Sequence, residues 1–226
     1  MIGFDEIISI DRSDLNIFLI NQGQNEIGEH LQDLIISIGE IKNINDVARM
    51  WQYFKHNFQN TKENHIDEKF SRTSEELAAS KTWSGCSNVG TILAPILRAN
   101  GIPTIYLQSA HIDWANDLVQ NNDSKNSVRG HIFLEIFINN EWLLFDSTSG
   151  HIYLNYNYNN LSLPKNYFAY SKSLNGHEVG SIDFNGLKKV MIDLFQDFDL
   201  NKYQDPNYET MDLRDVNNIK KDNKLF

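Results

Sequence analysis

Residues 82–103 read TWSGCSNVGTILAPILRANGIP, and this stretch decides the fold. Apolar side chains recur in it at helical spacing and predict one buried helix face. The members of that face are Val89, Ile92, Leu93, Ile96 and Leu97. Cys86, the single cysteine of the chain, comes just before them and extends the same face at the helix N-terminus. Asn100 and Gly101 are typical of a helix end. Pro95 predicts a kink rather than an end, because the apolar stripe continues beyond it.

A second stretch, residues 130–148, reads GHIFLEIFINNEWLLFDST and predicts a β-hairpin. The two asparagines at 139–140 suit a two-residue turn, which fixes the register of the two strands. In that register Asp146 is the diagonal neighbour of His131. Both side chains then lie on the same face of the sheet, within reach of each other.

Cys86, His131 and Asp146 have the chemistry of a nucleophilic cysteine enzyme. A helix N-terminus favours a thiolate, an imidazole can accept and return a proton, and a carboxylate can orient that imidazole. Each residue alone also has a structural explanation, since a lone cysteine is usually a small core side chain. Their order and their matching faces bring the catalytic explanation level with the structural one, and both stay open at this point. His151 is an alternative base, although it lacks the same strand geometry.

The composition indicates a globular protein without nucleic-acid or membrane partners. The 226 residues carry a net charge of -10, whereas phosphate binding depends on clusters of Lys and Arg. No apolar run could span a bilayer, and the N-terminus lacks the basic and apolar regions of a signal peptide. We therefore expect a cytoplasmic protein, with non-classical export left open. Clusters of zinc ligands and Gly-rich phosphate loops are absent from the sequence, so no cofactor or metal is expected.

The pattern of residues divides the chain into three regions. They are an N-terminal helical region (1–70), a core (71–200) and a polar, flexible tail (201–226). Within the core, residues 151–180 are rich in Asn and Tyr and predict loop with one or two short strands. Residues 184–199 predict a final amphipathic helix.

These motifs, in this order, resemble the transglutaminase-like superfamily of cysteine hydrolases, which shares a papain-like core. The resemblance spans residues 72–148, about a third of the chain. The family's motifs are a Gly-Cys step opening a helix, a Gly-Ile-Pro helix end, a Gly-His strand and a strand of the form Trp-x-x-x-Asp-x-Thr. They correspond here to residues 85–86, 101–103, 130–131 and 142–148. Asn88 stands where many members have an acidic residue, and Ser147 where proline is common. Pro95 is unusual in the helix, so the subfamily is left open.

The resemblance implies an α+β fold in which the helix of Cys86 packs on an antiparallel sheet. It also implies that Cys86 is the nucleophile, His131 the general base and then acid, and Asp146 the residue that orients His131. The implied substrate is an amide bond of a peptide or protein, and the reaction is hydrolysis, deamidation or transamidation. The backbone N–H of Cys86 would hold the oxyanion. Candidates for a second oxyanion donor are Ser80, Thr82, Trp83 and Asn88.

Two other functions stay open on the sequence. A binding or scaffold module could keep this fold without turnover. A small-amine acyltransferase could use the same three residue types, and a thioester donor would then acylate its cysteine. An inactive module has no need of a reactive thiolate, so the three residues favour an enzyme.

Overall fold

The computed structural model describes residues 10–61, 68–120 and 127–215, and its architecture is α+β with an N-terminal helical region. Within these residues, a seven-stranded antiparallel sheet has apolar clusters on both of its faces. The structure therefore confirms the fold class that the sequence predicts.

Helices flank the sheet and supply most of its covering layers. The described α-helices are α1 (Glu29–Ile38), α2 (Ile44–Asn57), α3 (Glu68–Ser71), α4 (Ser74–Ser80), α5 (Cys86–Ala99), α6 (Ile112–Val119) and α7 (Phe184–Phe195). Two 3-10 turns precede α1, at Leu15–Leu19 and Gly23–Asn25. The described part of the chain contains no helix that is both long and apolar enough to cross a membrane.

The strands form a large sheet and a small parallel pair. The pair consists of β1 (Gln59–Asn60) and β2 (Thr82–Trp83). The sheet consists of β3 (Thr104–His111), β4 (Gly130–Ile138), β5 (Glu141–Asp146), β6 (His151–Leu154), β7 (Ser162–Leu163), β8 (Tyr167–Ser173) and β9 (Glu209–Asp212). Its spatial order is β7-β8-β3-β4-β5-β6-β9, so β4, the strand that carries His131, lies at the centre.

Helix α5 begins at Cys86, as the sequence predicts, and residues 87–98 are all buried. Its contact with the sheet is close at Gly90. A Cβ atom there would lie 2.8 Å from Cγ2 of Ile132 and 2.9 Å from Cε2 of Tyr106. The helix continues past Pro95 and ends at Asn100, next to Gly101 with φ +76°. The close packing of α5 on β4 holds the cysteine at a fixed place relative to that strand.

The hairpin of β4 and β5 has the predicted register. Ile138 pairs with Glu141, and Leu134 pairs with Phe145. The two turn residues at 139–140 have φ values of 54° and 63°, which suit a tight hairpin turn. This register carries Asp146 to the end of β5 that lies beside the start of β4.

The segment after this hairpin contains more strand than the sequence predicts. Residues 151–180 hold three strands, and the longest of them, β8, pairs with β3. The expected tail also contributes to the sheet, because β9 pairs with β6 and the adjacent Leu213 is fully buried. Strands pair through backbone groups and do not require an alternating apolar pattern, so these strands gave little periodic signal. Residues 216–226 lie outside the described residues.

A buried ion cluster joins the N-terminal segment to the sheet. Glu135 of β4 is fully buried and accepts from Arg12 at 2.6 Å and from Lys172 at 2.8 Å. The hydroxyl of Tyr156 donates to the same carboxylate. The Arg12 guanidinium also lies 4.4 Å from the ring centre of Trp142. Because a buried carboxylate is stable only when it is paired, this cluster ties residue 12 to the central strand.

Candidate active site

Cys86 is held at the start of α5 by its own loop. The side-chain oxygen of Asn88 accepts hydrogen bonds from the backbone N–H and the hydroxyl of Ser84, each at 3.1 Å. Asn88 is fully buried, so this contact fixes the chain just before the helix. Cys86 itself is only partly buried. The loop therefore holds the thiol at the helix N-terminus, in a residue that is partly exposed.

His131 lies between Cys86 and Asp146. Its Nε2 atom lies 2.9 Å from Oδ1 of Asp146, and its ring is also hydrogen-bonded to the Cys86 sulfur. Because Nε2 is engaged by the carboxylate, the nitrogen facing sulfur is Nδ1. The ring packs edge-on against Phe133, with centroids 4.7 Å apart, and beside Tyr167 at 5.2 Å. The structure thus places all three predicted residues in one chain of contacts.

Asp146 is almost fully buried and has three described donors. Besides His131, the backbone N–H of Ser149 donates to Oδ1 at 3.1 Å, and Nζ of Lys165 donates to Oδ2 at 2.8 Å. Lys165 also donates to the hydroxyl of Ser149 at 3.2 Å. The carboxylate is therefore fixed from two sides and stays ionised in its buried position.

The loop after Asp146 is braced by α2. The indole N–H of Trp51 donates to the carbonyl of Ser147 at 2.7 Å. Gly150 has φ +77°, and a Cβ atom on it would lie 2.4 Å from the Trp51 ring. Both observations show that the indole is packed directly against this loop, which supplies the Ser149 N–H to Asp146.

The ionised forms of Cys86, His131 and Asp146 stabilise one another. Burial opposes ionisation of the Cys86 thiol, but the hydrogen bond and positive charge of His131 outweigh it and lower the Cys86 pKa. Burial would lower the pKa of His131, yet the hydrogen bonds and negative charges of Asp146 and Cys86 raise it to about 10. Burial would raise the pKa of Asp146, but His131, Lys165 and Ser149 hold it far below its ordinary value. The arrangement therefore favours a thiolate beside an imidazolium.

The other two candidate histidines have hydrogen-bond partners other than Cys86 and Asp146. His151 is hydrogen-bonded to the Ser149 hydroxyl at 2.7 Å, and its Nε2 lies 3.7 Å from Asp212. His111 is buried and accepts from the backbone N–H of Asp113 at 3.2 Å. Both have partners that explain their positions. Within the described residues, no group of His, Cys, Asp and Glu could hold a metal ion.

The candidates for a second oxyanion donor differ in their contacts. The hydroxyls of Ser80 and Thr82 contact the Arg72 side chain. Trp83 is buried against Phe54, and its indole N–H has no described hydrogen-bond partner. Asn88 accepts from Ser84 through its side-chain oxygen, whereas an oxyanion donor would use its amide nitrogen. These contacts engage the two hydroxyls and do not bear on the N–H groups of Trp83 and Asn88.

A cavity of about 410 Å³ opens beside Cys86 and His131. Its wall is formed by Phe70, Cys86, Ser109, Ser127, Val128, Gly130, His131, Ile132, Tyr170, Phe184 and Leu187. The volume falls in the range of ordinary ligand pockets. No local pattern in the sequence indicates this cavity, because its wall is assembled from α3, α7 and four other segments.

Lys165 and Trp51 are the other residues that the sequence analysis missed. Lys165 lies in the turn between β7 and β8 with φ 61°, and no motif in the sequence links it to Asp146. Trp51 lies on the buried face of α2, where an apolar side chain predicts packing alone. Lys165 contacts Asp146 directly and Trp51 contacts the loop after β5, so both contacts depend on the assembled sheet.

Comparison with protein-family models gives no match for this sequence, and comparison with curated proteins gives none either. Among solved structures, the chain is similar to one from Cytophaga hutchinsonii described as a "Putative Cysteine Protease". The TM-score is 0.51 at 14% sequence identity, over 77% of this chain and 52% of the other. The fold is therefore that of a cysteine-protease-like α+β protein. At this identity the likeness concerns the fold alone, and this chain spans about half the length of that protein.

Proposed function

We propose that this chain is a cysteine enzyme of the transglutaminase-like type, acting on amide bonds of peptides or proteins through an acyl-enzyme on Cys86. One observation carries the proposal: the sulfur of Cys86, the ring of His131 and the carboxylate of Asp146 are joined by direct contacts. The order of the motifs and the α+β fold support the superfamily. In this proposal Cys86, His131 and Asp146 are nucleophile, base-then-acid and orienting residue.

The first half of the reaction follows from the charges. The Cys86 thiolate attacks the amide carbonyl carbon, forming a C–S bond while the carbonyl oxygen takes the negative charge. The N–H at the start of α5 stabilises that oxyanion. The proton on Nδ1 of His131 then passes to the amide nitrogen, the C–N bond breaks, and ammonia or an amine leaves. A thioester on Cys86 and a neutral imidazole remain.

The second half returns the enzyme to its starting state. The neutral His131 takes a proton from water or from an incoming amine, which attacks the thioester carbon. The C–S bond breaks, and sulfur leaves as a thiolate beside the reformed imidazolium. Asp146 stays ionised throughout and holds Nε2–H, so that Nδ1 always faces the sulfur. Water as the second reactant gives hydrolysis or deamidation, and an amine gives transamidation.

Lys165 acts on this cycle as a positioning residue. Its ammonium group holds the second oxygen of Asp146 at 2.8 Å, which leaves the first oxygen directed at His131. The Lys165 side chain is half-exposed, so solvent screens its charge and the ion pair contributes little free energy. The main effect of the contact is to orient the Asp146 carboxylate.

A mass-spectrometric assay tests the proposal. An unfolded protein mixture is incubated with wild type or with Cys86→Ala, in ¹⁸O-water and with a fluorescent primary amine. We expect a change that depends on Cys86: new chain termini, conversion of Gln to Glu, or amine adducts. Acylation of Cys86 by a thioester such as acetyl-CoA would instead indicate a small-amine acyltransferase. If the Cys86 thiol had ordinary reactivity and no product depended on Cys86, the proposal would be overturned. The remaining interpretation would be a binding module without turnover.

A further inference from the structure

We propose that the cavity beside Cys86 receives an uncharged aromatic or branched aliphatic side chain of the substrate peptide. This inference rests on the proposed function, because it names the class of substrate that the same site accepts. The observation that carries it is the position and the chemistry of the cavity wall.

The position of the cavity relates it to the reacting bond. Cys86 and His131 form part of the cavity wall, so a substrate side chain inside the cavity lies close to the carbonyl that the sulfur attacks. A peptide side chain within one or two residues of that carbonyl has the right length to enter. The volume of about 410 Å³ leaves room for a large ring.

Most of the wall is apolar. Its apolar members are Phe70, Val128, Ile132, Tyr170, Phe184 and Leu187. Ser109 and Ser127 are its polar members, and the Ser109 hydroxyl donates to the carbonyl of His131 at 2.9 Å. Among the described residues that line the cavity, none is Asp, Glu, Lys or Arg, so the charges in the wall are those of Cys86 and His131. An ionised side chain would lose its water and meet two charges already paired with each other, whereas an apolar side chain gains free energy on burial.

The wall is also held in place before any substrate arrives. The carbonyl of Phe70 accepts from the side chain of Gln24 at 3.0 Å and from the ring N–H of His177 at 2.9 Å. Leu187 is only 7% exposed and belongs to the apolar cluster under α7. Phe184 and Phe70 face each other with ring centroids 6.5 Å apart and are both partly exposed. A formed pocket with apolar rings open to water gains affinity from any apolar group that covers them.

Peptidyl chloromethyl ketones test this directly, since Cys86 is the single cysteine and every alkylation reports on it. Acetyl-dipeptide reagents carry Phe, Ala or Asp at one position and Gly at the other, with both positions tested. At one position we expect Phe to react about 10 to 100 times faster than Ala, and Asp to react more slowly than Ala. Iodoacetamide, which cannot reach into the pocket, reports the reactivity of the sulfur alone.

Two variants separate the pocket from general effects on the fold. Phe184→Glu places a charge in the pocket wall at the first residue of α7, where an acidic side chain suits the helix N-terminus. Ile182→Glu is the matched control, because Ile182 is 56% exposed two residues earlier and does not line the cavity. Each chloromethyl ketone rate is divided by the iodoacetamide rate of the same variant, which removes any effect of the new charge on the sulfur. We expect Phe184→Glu to abolish the preference for Phe in these normalised rates, and Ile182→Glu to retain it.

Equal rates for Phe and Ala at both positions would overturn the pocket assignment, as would a preference that survives Phe184→Glu. These outcomes are independent of the proposed function. A slow iodoacetamide reaction with an ordinary pH profile would refute the reactive thiolate while the Phe-to-Ala ratio still reports on the pocket.

Discussion

Replacing Asp146 by asparagine should lower the pKa of His131. In the wild type that pKa is raised from 6.5 to about 10, a difference that corresponds to about 5 kcal/mol. Asp146 and Cys86 are the two anions responsible, and each makes a hydrogen bond to the ring. Because burial opposes this shift, the two anions together contribute more than the net difference, and an equal share gives at least about 2 kcal/mol for Asp146. Solvent screening is weak, since the side chains of His131 and Asp146 are 15% and 2% exposed. The pKa of His131 in the variant should therefore lie well below its wild-type value.

A ¹³C-edited NMR titration of the histidine rings measures this pKa, with His131 assigned by comparison with His131→Gln. A second readout is stability. The pKa of His131 is higher in the folded than in the unfolded chain, so its contribution is complete below about pH 6.5 and is lost as pH rises through about 10. In Asp146→Asn the decrease in the free energy of unfolding with rising pH should be smaller and should be complete at a lower pH. A wild-type His131 that titrates at its ordinary pKa, or a variant that titrates like wild type, would refute the reasoning.

Two further substitutions give distinct outcomes. Lys165→Met should reduce turnover about 5- to 10-fold, because Asp146 loses one partly exposed donor, while Lys165→Arg should retain most activity. A turnover unchanged in Lys165→Met, measured with the substrate found in the assay above, would contradict the positioning role. Glu135→Gln should lower the free energy of unfolding by about 3 to 5 kcal/mol, because Lys172 and Arg12 lose their buried counter-ion. Denaturant titration measures it, with the exposed Glu141→Gln of the same hairpin as control, and equal stabilities in the two variants would argue against the buried cluster.

The parts of the fold that could be predicted are those in which the local sequence pattern matches the burial and the strand pairing of the folded chain. Helix α5 has an apolar stripe, a capping pair at its end and a buried face, so its boundaries follow from residues 86–101. The hairpin has a turn with one favoured geometry, and its register then places Asp146 beside His131. The contact of Cys86 with His131 was implied by the order of the motifs and the resemblance, because no local signal docks α5 on the sheet.

The remaining parts depend on contacts that no local pattern encodes. Strand β9 pairs with β6, which lies more than fifty residues earlier in the sequence. Buried and exposed positions alternate only weakly along β9. Lys165 reaches Asp146 from a turn whose position is set by the pairing of β7 with β8. The pocket wall combines side chains from both ends of the core. Each of these features requires the assembled sheet before it exists.

The central claim is that Cys86 is a thiolate because of His131, and the alkylation rate of the single cysteine tests it most directly. Iodoacetamide rates are measured from about pH 4 to about pH 10 in wild type and in His131→Ala. We predict a fast wild-type reaction that persists well below the ordinary thiol pKa of about 8.5 and that is lost in the variant. Rates that rise near about 8.5 in both proteins would contradict the account and leave the fold without a nucleophile.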